Sequence, residues 1–223
     1  MLDPTSPILA IYVVWHPAFE QGQAIASEIQ RHFRRDPYQN LSGGRGLSVL
    51  FRNTQIPGSP IPLSIDFGEA HTTAVVVLIE PNLLADTNWI EFINEMSSEV
   101  RSIGLGSRIF PVAIDPSATR AGILDQALRW DQWQGADESR LQRLISELTY
   151  EFCRMSRHYL EHLNQPQERY DALEAYLKKV QIFLSHSKHD SDGNRVALAI
   201  RTHLHAGHGL ASFFDIHDIP AGL

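Results

Sequence analysis

The chain has 223 residues, enough for one large domain or two small ones. Its composition, 43% hydrophobic and 20% charged, is that of an ordinary globular protein. The formal net charge of −7 argues against a general nucleic-acid-binding protein, because no basic excess exists to neutralise phosphates. No apolar run approaches the roughly 20 residues of a membrane span. We therefore expect a cytoplasmic protein that contacts neither membranes nor nucleic acids.

The first part of the chain alternates apolar runs with segments of helical period. Residues 8–15 are continuously apolar, as in a parallel strand covered on both faces. This alternation predicts a flavodoxin-like α/β fold, a parallel sheet of order 2-1-3-4-5 with helices on both faces. The predicted strands are residues 8–15, 47–51, 74–79, 109–114 and a short edge strand within 127–133. The fourth of these contains Pro111, which is unfavourable in the interior of a sheet. The predicted helices are one through Ile25, Ile29 and Phe33 and one over 87–100.

A long helix is predicted to close this first domain. From Asp137 to Leu163 the apolar residues recur at helical spacing for about seven turns. The sequence Asn-Gln-Pro at 164–166 ends that helix, and a shorter helical segment follows. We therefore predict a first domain over residues 1–163, a helical linker over 164–179 and the start of a second domain over 180–223.

The last 44 residues have the opening pattern of another α/β domain. Residues 182–184, Ile-Phe-Leu, form an apolar strand that ends at a polar run. A helix-period segment follows, with Val196, Ile200 and Leu204 on one face. Residues 210–214 predict a second strand, which leads into an acidic loop. Strand, helix, strand and loop in this order open a parallel α/β sheet.

Two segments of this region resemble the first two boxes of the Toll/interleukin receptor (TIR) domain family. Residues 182–190, Ile-Phe-Leu-Ser-His-Ser-Lys-His-Asp, resemble the first box, an apolar strand followed by Ser-aromatic-Ser and an Asp, with His186 where an aromatic is usual. Residues 214–222, Phe-Asp-Ile-His-Asp-Ile-Pro-Ala-Gly, resemble the second box, Asp-x-x-Asp-Ile-x-x-Gly. The two boxes stand in the family's order and separation. The family's third strand, and the helix with its catalytic Glu, would come after Leu223.

The resemblance implies a bacterial-style signalling or defence protein with tandem TIR-like domains. It implies that the intact form cleaves NAD, as a substrate, at the nicotinamide–ribose bond, or alternatively that the protein is a non-catalytic adaptor that assembles with TIR domains of the same or another chain. The residues that it places on a nucleotide-pocket rim are Ser185, His186, Ser187 and Asp190. The residues that it places in an assembly loop are Asp215, Asp218, Ile219, Pro220 and Gly222.

The first domain shares the element order of the second, which predicts an internal repeat. On an alignment of their second-strand loops, Arg52 falls at Asp215 and Gln55 at Asp218. The first domain is then a divergent TIR-like unit without either loop acid, and chance similarity between two α/β units is the alternative. The other aligned pairs are Ile25 with Val196, Ile29 with Ile200, Phe33 with Leu204, and Ile56-Pro57 with Ile219-Pro220.

Glu91 and Glu95 are the candidate catalytic residues of the first domain. In the TIR domains that cleave NAD, the resemblance places the catalytic Glu on the helix after the third strand, often four residues beyond a Trp. A carboxylate there stabilises the cationic ribose that develops as nicotinamide leaves. Here the position four beyond Trp89 is Ile93. Glu91 and Glu95 lie about 200° and 240° from Trp89 around a helix, so both are expected to face solvent.

The remaining reactive residue types predict neither a metal nor a cofactor. His203 and His205 would lie about 200° apart on a helix, and no cysteine is near them to complete a site. The single cysteine, Cys153, cannot form an internal disulfide and is predicted to be a small buried hydrophobe. Two functions stay open from the sequence, an NAD glycohydrolase and a non-catalytic adaptor.

Overall fold

The computed structural model describes residues 6–34, 46–53, 59–119, 127–164, 181–184, 195–196, 199–200 and 211–214. The chain divides into two units, Met1–Leu163 and Asn164–Leu223. The elements up to the boundary are β1 (Leu9–Val14), α1 (Gly22–Phe33), β2 (Ser48–Arg52), β3 (Thr72–Ile79), α2 (Pro81–Ala85), α3 (Thr87–Ile103), β4 (Ser107–Ala113) and α4 (Asp137–Asn164). The second unit holds β5 (Gln181–Leu184) and β6 (Ala211–Phe214).

Four parallel strands form the sheet of the first unit, in the order β2-β1-β3-β4. Every residue of β1 and β3 is buried, as their continuous apolar sequences require. The prediction of a flavodoxin-like α/β fold with a parallel sheet is thus confirmed. The predicted order 2-1-3-4-5 agrees in its first four positions. Within the described residues, the fifth position of the sheet is represented by one bridge, between Val112 and Leu128, before a short 3-10 helix at Trp130–Gln132.

Pro111 limits the hydrogen bonding of β4 beside this bridge. The Leu128 N–H donates to the Pro111 carbonyl at 2.8 Å, and the Leu128 carbonyl accepts from the Ala113 N–H at 2.9 Å. The next bond of a parallel ladder on this side would need the N–H of residue 111, which proline lacks. Because the missing donor points away from β3, the interior of the sheet loses no hydrogen bond.

Helices cover both faces of the sheet. On one face, Phe152 of α4 contacts Phe33 of α1 and Phe110 of β4 edge-on, with ring centroids 5.1 and 5.8 Å apart. On the other face, α3 buries Trp89 and Ile93 in a core cluster with the inward side chains of β1 and β3. The helix predicted over residues 87–100 is therefore confirmed, and it extends to Ile103.

The connection between β2 and β3 completes the second face without a helix in its described part. We call residues 59–71 the strap. Ile65 and Ala70 of the strap are buried in the same core cluster as Trp89, and Ile61 and Phe67 pack against that cluster. Loop residues thus do the covering that a helix does on the opposite face.

The long helix α4 is amphipathic over its described side chains. Leu144, Leu148 and Met155 are buried beside Phe152, whereas the opposite side carries charged residues such as the pair Arg143–Glu147, whose nitrogen and oxygen are 3.8 Å apart. Cys153 is exposed, so the prediction that it is buried is wrong. It follows Phe152 by one position, and one position turns a side chain by about 100° off the buried stripe. In the described part of the chain, no helix has the length and apolar character to cross a membrane.

The two strands of the second unit pair in parallel, from Gln181 with Ala211 to Leu184 with Phe214. The residues described between them, 195–196 and 199–200, are helical. The predicted strands at 182–184 and 210–214 are confirmed to within one residue at each end. Val196 and Ile200, predicted to share an apolar helix face, are 51% and 42% exposed.

Trp15 and Gly22 fit together where β1 leads into α1. Trp15 is 1% exposed and lies edge-on to Phe51, with ring centroids 5.3 Å apart. A Cβ added to Gly22 would stand 2.2 Å from Cδ1 of Trp15, well inside van der Waals contact. Only a glycine therefore allows the first turn of α1 to lie against this ring.

We predict that Gly22→Ala lowers the free energy of unfolding by about 1–3 kcal/mol, because the methyl group overpacks the Trp15 site. Urea denaturation followed by tryptophan fluorescence measures the change. The matched control is Gly106→Ala, where a Cβ would meet its nearest atom at 3.9 Å. Equal losses in the two variants would show that the Trp15 contact is not the cause.

Candidate functional site

The carboxyl edge of the sheet between β1 and β3 is the candidate site. β1 has β2 on one side and β3 on the other, so the strand order reverses here. Open α/β sheets bind ligands outside the carboxyl ends of their strands at such a switch point. His16 follows β1, Glu80 follows β3, and Asp86 and Trp89 stand at the start of α3. We call these four residues the carboxyl-edge site.

His16 is held by two neighbours in a nearly buried position. Its Nδ1 accepts from the Ala18 N–H at 3.2 Å, and its Nε2 lies 3.6 Å from Oδ2 of Asp86. Its ring packs edge-on against Trp89, with centroids 5.2 Å apart. Because Nδ1 is an acceptor, the neutral ring carries its proton on Nε2, the atom that faces the Asp86 carboxylate.

Asp86 caps α3 with its ionised carboxylate. Its Oδ1 accepts from the Asn88 N–H at 2.9 Å and from the Asn88 side-chain amide at 3.2 Å. Burial raises the pKa of this carboxyl group, but hydrogen bonds from Asn88, the Trp89 N–H and His16 outweigh it and hold the pKa below its usual value. Asp86 is therefore charged at neutral pH and already engaged by the helix.

Glu80 caps α2 in the same way. The residue is 3% exposed. Its Oε1 accepts from the Leu83 N–H, and its Oε2 accepts from the Asn82 N–H and the Asn82 side chain, all at 2.8 Å. Pro81 at the first helical position needs no such acceptor. Both carboxylates of the carboxyl-edge site thus stabilise helix starts rather than face a cleft.

Trp89 contributes a buried donor to the site. The residue is fully buried, and its indole N–H has no acceptor among the described residues. An unpaired buried N–H lowers stability by about 1–3 kcal/mol unless a polar group reaches it. Trp89 therefore packs as a core residue, and its nitrogen is the one uncommitted polar atom of the carboxyl-edge site within the described residues.

The structure places Glu91 and Glu95 on the outer side of α3. Both side chains are exposed, whereas Phe92 and Ile93 between them are 6% and 0% exposed. The prediction that both glutamates face solvent is confirmed. Neither is brought to the carboxyl-edge site, and the position four beyond Trp89 is an apolar core residue.

Arg52, which stands where the second-unit loop has Asp215 on the repeat alignment, is a structural residue in the first unit. Its guanidinium lies 4.8 Å from the centroid of the Tyr12 ring, and its Nε donates to the Ser64 carbonyl of the strap at 3.4 Å. The Tyr12 hydroxyl donates to the Glu69 carboxylate. Burial, followed by this hydrogen bond, raises the pKa of Tyr12 far above its usual value. These contacts fasten the strap to the sheet.

The remaining predicted site residues lie outside the described residues. They are Ser185, His186, Ser187, Asp190, Asp215, Asp218, Ile219, Pro220 and Gly222, and also Gln55 of the first unit. Their roles stay predictions. Within the described ranges no three His, Cys, Asp or Glu residues converge to hold a metal ion.

His16, Glu80 and Asp86 were not singled out by the sequence analysis. Glu80 had a local signal, since the proline that follows it is typical of the first position of a helix. Asp86 had one too, as an acidic residue just before an amphipathic segment. The contact between His16 and Asp86 joins residues 70 positions apart, and nothing in either segment indicates it.

We predict that Asp86→Ala lowers the free energy of unfolding by about 1 kcal/mol at neutral pH, and that Asp86→Asn lowers it less, because asparagine is an equally good helix cap. The folded-state pKa of Asp86 is lowered, so its charge-dependent stabilisation is present above the unfolded pKa and is lost as pH falls through the folded one. Urea denaturation at neutral pH and well below the ordinary aspartate pKa of about 3.9 tests this. The wild type and Asp86→Asn should converge in acid, and a constant gap would contradict the prediction.

Comparisons with known proteins add no family assignment to this geometry. No family model, no curated protein and no solved structure matches the chain. The chemistry of the carboxyl-edge site is accordingly judged from its own residues, and those residues form a packed and capped edge with no free carboxylate among the four.

Proposed function

We propose that this chain is a TIR-type signalling or defence protein of the cytoplasm, with a non-catalytic first unit and a second unit that carries any NAD chemistry. One observation supports the tandem arrangement above all others. The first two strands of each unit pair in parallel. Their registers agree with one alignment of the two units, which has a gap of eight residues (171 − 163) between the first strand and the second.

The register agreement is independent of the sequence pattern that suggested a repeat. Val13 pairs with Phe51, and Leu184 pairs with Phe214. Val13 and Leu184 are 171 positions apart, the same spacing that separates the helix residue Ile25 from Val196. Phe51 and Phe214 are 163 positions apart, the spacing of the two Ile-Pro loops. A shift of register by one residue would have broken the match.

The first unit lacks the electrostatics that NAD cleavage needs. Departure of nicotinamide leaves positive charge on the ribose, and a preorganised anion at that point is worth roughly 3 kcal/mol of barrier. Ile93 occupies the helical position of the family's carboxylate and is fully buried. Glu80 and Asp86 have their oxygens in helix caps. We therefore propose that the first unit does not cleave NAD.

A non-catalytic adaptor is the second candidate function, and the helix of the second unit favours it. Val196 and Ile200 are 51% and 42% exposed, whereas Ile25 and Ile29, their counterparts in the first unit, are 6% and 0% exposed. Exposed apolar residues one helical turn apart suit a contact with another protein. In this candidate function the partner is a TIR domain of the same or another chain.

We predict that the purified chain releases no nicotinamide from NAD above the rate of a protein-free control. The assay is chromatographic detection of nicotinamide, run beside Glu91→Ala and Glu95→Ala. Both glutamates are exposed, so these substitutions leave the core intact and serve as folded controls. Release that either substitution abolishes would overturn the proposal and make the first unit the enzyme. Release that neither substitution affects would contradict the prediction as well.

A further inference from the structure

The outward polar groups of the edge strand β2 can be identified from its pairing with β1. In a parallel strand, the N–H and C=O of one residue point to the same side, and the side alternates along the chain. The Arg52 carbonyl accepts from the Trp15 N–H at 3.3 Å, so Arg52 faces β1. Val49 and Phe51 consequently turn their backbone groups outward, and within the described residues β2 pairs with β1 alone.

Side chains occupy both outward carbonyls of this edge. Gln30 of α1 donates from Nε2 to the Val49 carbonyl at 3.4 Å. Arg52 donates from Nη1 to the Phe51 carbonyl at 3.0 Å. An edge strand with free backbone groups is a template for pairing with another chain, and natural proteins close such edges. Gln30 and Arg52 remove the acceptors that an added strand would need.

The open stretch is short and self-complementary. The Leu47 N–H already donates to the Phe33 carbonyl at 3.0 Å, so that end of β2 is closed by the end of α1. A two-fold axis through Leu50 would set Val49 of each copy opposite Phe51 of the other copy. Residues directly opposite in an antiparallel pair of this type exchange both N–H···O bonds. The four outward groups of each copy would then all find partners.

The opposite edge of the sheet is partly occupied. β4 is bridged by Leu128, and Pro111 has no N–H to give to a further strand. Pairing of two β2 strands about a two-fold axis closes on itself and does not propagate into a fibre. A second copy of the chain is therefore the occupant that this edge fits.

We propose that β2 is a strand-addition surface for a second copy of the chain, held closed by Gln30 and Arg52. This surface is separate from the helix residues Val196 and Ile200 and from NAD chemistry. Among the described residues, Gln30 and Arg52 are the side chains that must release the two outward carbonyls, and the β2 backbone is already extended.

Gln30→Met with Arg52→Met tests the proposal, because methionine keeps the length of each side chain and removes its donors. We expect the dimer dissociation constant of the full chain, measured by sedimentation equilibrium, to fall at least about tenfold. The matched control is Gln23→Met with Arg31→Met, the same changes on the exposed side of α1. Gln30→Met alone leaves the Arg52 contact with Tyr12 intact and should shift association in the same direction.

A disulfide locates the contact. Leu50→Cys in a Cys153→Ser background puts one thiol at the two-fold axis, where opposed Cα atoms of a non-hydrogen-bonded pair are about 4.5 Å apart, within disulfide range. Mild oxidation should link two chains when residues 30 and 52 are both methionine. The link should form much less when Gln30 and Arg52 are present. Tighter association without the link would place the interface elsewhere and overturn the proposal. An unchanged dimer dissociation constant in Gln30→Met and in the Gln30→Met, Arg52→Met variant would overturn the proposal as well.

Discussion

A parallel sheet needs both faces covered, and in this protein that constraint falls on β1 and β3. All residues of both strands are buried, so every other element of the first unit is placed to cover them. Helices α1 and α4 meet over one face through Phe33 and Phe152. On the other face α3 covers only part of the sheet, and the strap covers the rest. A loop can do this only when it is fastened, which is the role of the contacts from Tyr12 and Arg52.

The polar residues at the carboxyl edge of the sheet, where this class of fold binds its ligands, also stabilise the fold. Glu80 and Asp86 stand at the switch point, yet each carboxylate satisfies N–H groups at the start of a helix. Catalysis by a carboxylate needs an oxygen that can turn toward a substrate. The first unit has kept the architecture of a ligand-binding edge while its polar groups serve folding.

Much of the fold was predictable because its signals are local. Continuous apolar runs marked β1 and β3, and the angle around a helix placed Glu91 and Glu95 outside. The prediction for Cys153 was wrong because the helical spacing of apolar residues does not show on which side of the buried stripe a residue next to Phe152 falls. The five-residue α2 is too short to show a period, and the approach of His16 to Asp86 depends on two distant segments meeting. Most of the residues that carry the TIR resemblance lie outside the described residues, so the resemblance stays a proposal.

The pairing of β1 with β3 has a consequence for folding during synthesis on the ribosome. Leu9 pairs with Thr72, 63 positions later. At about 5–20 residues per second, roughly 3 to 13 s pass before that partner has been synthesised. During this interval β3, α3 and α4, which pair with β1 or cover the sheet in the finished fold, have not yet been synthesised. The strand at the centre of the finished sheet is thus synthesised early and enclosed late.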